Sequence, residues 1–402
     1  MDTPTSRPRS RPRVAVVTES FLPHVNGVSN SVRHVVECLE RRGHDVLVVA
    51  PGPGPDRHGR SPVVRVRSLP LPGYATFVVG LPDPVLAEAI GAFRPDVVHL
   101  ASPFVLGAWG LRVARQRRIP TVAVYQTDVA GFARAYAVAR HPLLRADLLA
   151  EAWVRSLHHR ADRTLVPSRA SHDQLRALDV PDLHVWRRGV SLDLFGPAHR
   201  SEDLRRALAP GGETLVGYVG RLAHEKQVHR LAELTDLPGV RLVVVGAGPA
   251  RAELERAAPT ACFLGLRQGP ALARAFATLD VFVHPGTAET FCQTVQEAQA
   301  SGVAVVAAGQ GGPRDLVDHG RTGLLYPPQR PGALRDAVRR LVELPDLRRR
   351  LALAGHHAVQ GRDWAPVVDE LVDVHYAAVL GGPVLRAPDL ITSPASTTPW
   401  AA

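Results

Sequence analysis

The sequence predicts an α/β protein of two consecutive doubly wound domains, each a parallel sheet with helices on both faces. Three observations carry that expectation. At 402 residues the chain is too long for one ordinary hydrophobic core. Short β-branched runs alternate with helical stretches in two series, the pattern of βαβ units whose strands are buried on both faces. Between the two series, residues 189–197 lose the helical period and gather turn-forming Gly, Ser, Asp and Pro.

The first series places strands at 14–17, 45–49, 96–100, 121–124 and 163–166. The second places them at 214–219, 241–245, 261–264, 280–283 and 303–306. Residues 13–188 are therefore expected to form the first domain, 189–197 a hinge and 198–362 the second domain. The amphipathic stretch 363–382 is expected to return to the first domain. Residues 1–12, with Arg7, Arg9 and Arg11, and residues 383–402, rich in Pro, Thr and Ala, read as disordered tails.

Composition narrows the class. The chain is 45% hydrophobic, and no apolar run approaches the ~20 residues that span a bilayer. Arg13 is followed by a strand-like run and not by a signal-peptide core, so a cytoplasmic protein is expected. Cys38, Cys262 and Cys292 are scattered without metal-ligand spacing, which predicts reduced thiols and no metal. The net charge of +10 suits nucleic acid, an anionic membrane surface or an anionic substrate. No nucleic-acid-binding motif accompanies it, so no nucleic-acid partner is expected, and a membrane surface stays open. Only one of the 48 basic residues is a lysine, Lys226. An ammonium is a compact, movable point charge, unlike the planar guanidinium fork, and suits phosphate oxygens.

Lys226 ends the run 220–226 (Gly-Arg-Leu-Ala-His-Glu-Lys), which follows the strand 215–219. Doubly wound domains bind ligands at that edge. Arg221 and Lys226 there have the charge to clamp a diphosphate and stabilise it as a leaving group, or else form a solvated basic loop. Gly246 and Gly248 lie in a third loop at the same edge, a weaker signal because a Gly-Pro turn after a strand is common.

The strongest constellation is 286–298, where Glu289 precedes Glu297 by eight residues. A helix starting near Thr290 presents the amides of Thr290, Phe291 and Cys292 to an anion, with Thr294 in the same turn. On one helix Glu297 stands about 12 Å along the axis from Glu289 and about 80° around it, so the pair reaches two ends of an elongated ligand. The plain alternative is a helix N-terminal charge and a solvated face. In the first domain Gly27 opens a helix after strand one and either lets the backbone approach a phosphate or sugar from the opposite side or forms a plain turn. Gln126 and Asp128 follow the strand 121–124, as ligand contacts or as a solvated amide and a helix cap.

Taken together, Gly220 to Lys226, Glu289 with Glu297, and Asn26-Gly27-Val28-Ser29 resemble glycosyltransferase family 4. Those enzymes are retaining nucleotide-sugar transferases of the GT-B fold, two Rossmann-like domains facing a cleft with a C-terminal helix crossing back. The resemblance runs from Val14 to about Leu380. It implies that Arg221 and Lys226 hold the diphosphate of the sugar donor, Glu289 the hydroxyls of the transferred sugar and Glu297 the ribose. It also implies no cofactor and no bound metal, with the cation pair in the metal's place. Attack is expected on the face from which the diphosphate departs, the departing oxygen taking the acceptor's proton.

One departure matters. Many relatives carry a histidine where this chain has Gln126, and an amide cannot act as a base, so hydrogen bonding is its expected role. The Gln126-Thr127-Asp128 segment and the Glu289 to Gln293 segment are similar to actinobacterial GDP-mannose-dependent α-mannosyltransferases with lipid or lipoglycan acceptors. GDP-mannose is thus the expected donor, and a glycolipid or other glycan the expected acceptor. A UDP-sugar, a soluble acceptor or a catalytically silent nucleotide-sugar-binding protein are the alternatives. An apolar loop at 69–80 and the arginines Arg134, Arg140 and Arg145 within 132–157 are candidate membrane contacts, or ordinary packing with arginines outside.

Overall fold

A computed structural model describes residues 11–24, 26–71, 74–101, 104–128 and 146–382. The chain divides into two compact units, one containing residues up to Arg188 together with the segment from Trp364, the other Gly189–Asp363.

Among the described residues the first unit has ten strands: β1 (Val14–Val17), β2 (Val46–Pro51), β3 (Arg57–His58), β4 (Ser61–Val66), β5 (Ser68–Leu71), β6 (Tyr74–Gly80), β7 (Val97–Leu100), β8 (Thr121–Val124), β9 (Arg163–Val166) and β10 (Leu183–Val185). Eight of them form one sheet in the order β10-β9-β8-β7-β1-β2-β4-β3, parallel except for the short β3–β4 pair. Side-chain alternation sorts the core onto two faces. Val14, Val16, Val46 and Val48 pack with the helix Gly27–Arg41, while Ala15, Val17, Leu47 and Val49 face Leu86, Ile90 and Leu106. The stretch expected to be an apolar loop is instead an antiparallel hairpin, β5–β6, pairing Ser68 with Gly80 and Leu69 with Val79. Val78 and Val79 carry the β propensity there, which the neighbouring prolines and glycine hide in sequence.

The helical segment 364–379 packs into this first core through Trp364, Val367, Val368, Leu371, Val372 and Tyr376, with a π-helical turn at Leu371–Tyr376. Trp186 Nε1 donates to the Val367 carbonyl at 2.9 Å, and Arg42 pairs with Asp369 and, at 2.6 Å, with Asp373. The Tyr376 hydroxyl lies 2.8 Å from Nδ1 of His99, both fully buried. Burial pushes His99 down to about 3, so its imidazole is neutral.

The second unit carries β11 (Thr214–Val219), β12 (Val240–Val245), β13 (Cys262–Gly265), β14 (Val281–His284), β15 (Ala304–Ala308) and β16 (Leu324–Tyr326). Its order is β13-β12-β11-β14-β15-β16, all parallel. Strand order therefore reverses between β11 and β14, the switch point at which such sheets bind ligands. Residues 189–197 belong to this unit: Val190 and Phe195 are buried in its core, and the Val190 amide donates to the Arg362 carbonyl at 2.9 Å.

Tyr376→Phe should leave Nδ1 of buried His99 without its partner. We expect a loss of about 1–3 kcal/mol in chemical denaturation, with the slope of the transition unchanged.

Candidate active site

At the switch point of the second unit, two loops leave adjacent strands side by side. The loop after β11 carries Arg221 and Lys226; the loop after β14 carries Glu289. Lys226 Nζ lies 2.7 Å from Glu289 Oε1, and His284 Nε2 lies 3.0 Å from the same oxygen. Gln227, in a left-handed conformation, donates from Nε2 to Thr287 Oγ1 at 2.7 Å and ties the loops a second time. Glu289 Oε2 has no partner among the described residues. One oxygen is thus anchored and the other is left to accept from a hydroxyl.

The charges reinforce one another. Burial raises the Glu289 carboxyl, but the Lys226 ammonium and the His284 hydrogen bond outweigh it and hold the group down at about 2. Burial likewise opposes protonation of His284, while the Cys292 sulfur and the Glu289 carboxylate raise it overall. For Lys226 the desolvation that lowers its pKa is exceeded by Glu289, and the ammonium stays charged. Arg221, about a third exposed, contacts Glu225 Oε1 at 3.4 Å, and its carbonyl accepts from the Tyr218 hydroxyl at 2.8 Å. The loop is thereby tied at Tyr218 and Glu225.

Several expectations need correction. The helix after β14 begins at Gln293, not near Thr290, and Cys292 caps it in a left-handed conformation with φ 78°. The amides of Thr290 and Phe291 are consequently not among its N-terminal donors; those belong to Cys292, Gln293 and Thr294. Glu289 and Glu297 do not share a helix, so the 12 Å and 80° relation does not apply. The cause is the segment 309–312: the Gly312 amide donates to the Glu289 carbonyl at 2.8 Å, and a Cβ on Gly312 would lie 2.3 Å from the Phe291 carbonyl oxygen. Phe291 itself is buried in the core. Gly246 and Gly248 use their missing side chains against the chain itself. A Cβ at Gly246 would meet the Gly220 carbonyl oxygen at 1.9 Å, and one at Gly248 the Leu222 oxygen at 2.2 Å. They brace the Arg221 loop from behind.

Glu297 is half-buried in the helix Gln293–Ala300 with no ion-pair partner among the described residues. Burial pushes its carboxyl up to about 7. Thr294 Oγ1 lies 3.7 Å from Cys292 Sγ.

In the first unit, Asn26-Gly27-Val28-Ser29 is a capping box. Asn26 Oδ1 accepts from the amides of Val28 and Ser29 at 3.0 Å, and Ser29 Oγ accepts from the Asn26 amide at 2.9 Å. Gly27 occupies the first helical position, where a Cβ would lie 3.4 Å from the Arg188 guanidinium. Gln126 spends both ends of its amide internally, Nε2 on the Ala101 carbonyl at 2.9 Å and Oε1 on the Arg188 guanidinium. Arg188 also donates to the Gly27 carbonyl at 3.2 Å, so it joins two predicted site residues. Asp128 Oδ1 accepts from the Tyr125 hydroxyl and the Gln174 amide, each at 3.2 Å. Sequence reasoning missed His284, Arg188 and Gly312. Of these, His284 at the end of a buried strand before Pro-Gly was the most readable signal. Arg134, Arg140 and Arg145, with residues 1–10 and 383–402 of the expected tails, lie outside the described residues, whereas Pro12, expected in the first tail, is buried with its carbonyl 2.9 Å from His44 Nδ1.

Comparison with known proteins shows the family. Residues 25–194 match the family model described as Glycosyltransferase Family 4, and residues 199–357 that described as Glycosyl transferases group 1. A GDP-mannose-dependent alpha-mannosyltransferase of Mycobacterium tuberculosis is 52% identical over 376 residues, covering 92% of this chain and 97% of that protein. The chain belongs to glycosyltransferase family 4. A relative of the same description in Mycolicibacterium smegmatis is 50% identical over 382 residues, 93% of this chain and 100% of that one. Among solved structures, a sucrose-phosphate synthase from Thermosynechococcus elongatus superposes with a TM-score of 0.77 at 22% identity, over 92% of this chain and 100% of that one. That likeness establishes the fold, two Rossmann-like domains of the GT-B type.

For a family 4 glycosyltransferase, the 2.7 Å contact makes Lys226 the sensitive cation. Lys226→Arg keeps the charge, but a planar fork cannot occupy the position of a point charge beside Glu289. We expect transfer to fall at least tenfold with an unchanged circular dichroism spectrum; full activity would mean that charge alone suffices.

Proposed function

We propose that this glycosyltransferase moves mannose from GDP-mannose onto a glycolipid or lipoglycan acceptor, forming an α linkage with retention. The observation that carries the reading is the anchored carboxylate: Glu289 Oε1 is held by Lys226 and His284 while Oε2 is left for a sugar hydroxyl. Support for mannose and guanosine comes from the two relatives about half identical to this chain, both described as GDP-mannose-dependent alpha-mannosyltransferases.

In this reading Arg221 and Lys226 bind the diphosphate and stabilise it as the bond from the anomeric carbon to the phosphate oxygen breaks. The acceptor oxygen attacks the face the diphosphate is leaving, and its proton passes to the departing oxygen. Configuration is retained without an enzymic nucleophile. Glu289, held near 2, is a poor base and a good hydrogen-bond acceptor, which fits a hydroxyl-binding role. Glu297 would take the ribose hydroxyls through its ionised form. No cofactor takes part, and the two cations do the work of a metal at the diphosphate.

No helix of the described residues is long and apolar enough to cross a membrane. Peripheral docking on an anionic surface is part of the proposal. It is supported by the net charge of +10 and by the helix Ala146–His158, which exposes Leu148, Leu149 and Trp153. Binding to vesicles with anionic lipid but not to neutral ones is the expected result in sedimentation, and equal binding to both removes this part.

A panel of nucleotide sugars tests the donor. GDP-mannose should be consumed and an α-mannoside formed, and preferential use of a UDP-sugar would overturn the donor assignment. Glu289→Ala should lower turnover by about 10²–10³-fold, and EDTA should not lower the rate. The pH dependence has a definite sign. Glu297 ionises on passing about 7, so donor KM should fall between pH 6 and 8, and Glu297→Gln should flatten that fall. Stability moves the other way. A carboxyl raised on folding contributes stability that is present below its unfolded value and lost as pH rises through 7.

A further inference from the structure

We propose that Cys292, His284 and Glu289 form a binding site for a soft divalent cation of the zinc type, and that its occupancy shuts the enzyme off. Cys292 Sγ, one ring nitrogen of His284 and one carboxylate oxygen of Glu289 lie within 4.8 Å of one another. Sulfur, imidazole and carboxylate are the ligand set Zn²⁺ prefers. In a tetrahedral site with bonds of about 2.0–2.3 Å, ligands stand about 3.5 Å apart, so movements of about 1 Å complete it. The fourth position is left to water.

Two further observations point to a ligand here. His284 is 3% exposed, and its Nδ1 has no hydrogen-bond partner among the described residues, an unmet polar atom in the second unit's interior. Cys292 adopts φ 78°, where a side chain is strained and glycine is not. A thiol is thus held in place against local preference, beside an imidazole and a carboxylate.

The rival for the site is Lys226, whose ammonium occupies Glu289 Oε1. Its stem is flexible, and a divalent ion outcompetes one ammonium for three converging ligands. Binding releases the Cys292 thiol proton and one proton of the His284 imidazolium to solvent and forms metal bonds to sulfur, nitrogen and oxygen. Lys226 is expelled, and Glu289 is lost to the sugar. The inhibitory half rests on the donor-site reading above, while the binding half stands without it.

Co²⁺ titration of the full chain tests binding directly. Wild type should show a thiolate-to-cobalt charge-transfer band that Zn²⁺ abolishes. Cys292→Gly, which relieves the left-handed strain and so should fold, should lose it. A missing band in wild type, or one equally strong in Cys292→Gly, overturns the site. In transfer assays Zn²⁺ should inhibit wild type, and Cys292→Gly should need at least tenfold more Zn²⁺ for half-inhibition relative to its own metal-free rate. Equal sensitivity overturns the inhibitory role. If no nucleotide sugar is turned over yet the band appears in wild type alone, the site stands and the function proposed above fails.

Discussion

The pairing of Lys226 with Glu289 depends on one constraint, the reversal of strand order between β11 and β14. Because these two parallel strands are neighbours, the loops leaving their carboxyl ends emerge together although the paired residues are 63 apart in sequence. The sheet itself follows from burial: its strands are apolar on both faces, and their alternate residues sort into two cores. A fully buried valine or leucine contributes roughly 1.5–3 kcal/mol, and β11, β12, β14 and β15 each bury more than one of them. The loops are therefore positioned by the sheet and only adjusted by their own bonds.

That adjustment is done largely by backbone. Gly246 and Gly248 back the Arg221 loop at distances no side chain tolerates, and Gly312 does the same for the turn at Phe291. Cys292 then starts the helix in a left-handed conformation, which keeps Glu289 off the helix and beside Lys226. The arrangement leaves one carboxylate oxygen engaged and one open. It holds the negative charge close to cations, as the hydroxyl-binding role proposed for Glu289 requires.

The first unit solves a different problem. Arg188, the last residue before the chain passes into the second unit, is buried and bonded to Gln126 and to the Gly27 carbonyl. An amide at 126 accepts from that guanidinium and at the same time donates to Ala101. A protonated imidazole would face a like charge there, which gives glutamine at this position a physical reason.

By itself the sequence determined the fold class, the two-unit organisation and the family. Those rest on period-two burial, β-branched runs and local motifs, which act over a few residues. It also put Arg221, Lys226 and Glu289 at strand ends, since a loop's position after a buried strand is readable. What it could not decide was direction and partnership. The hairpin β5–β6, the left-handed Cys292, the bracing by Gly246 and Gly248, and the contributions of His284 and Arg188 come from contacts between segments far apart in the chain. Tertiary packing chose among backbone conformations that local preference leaves nearly equal, and so turned two glutamates expected on one helix into one anchored carboxylate and one half-buried acid.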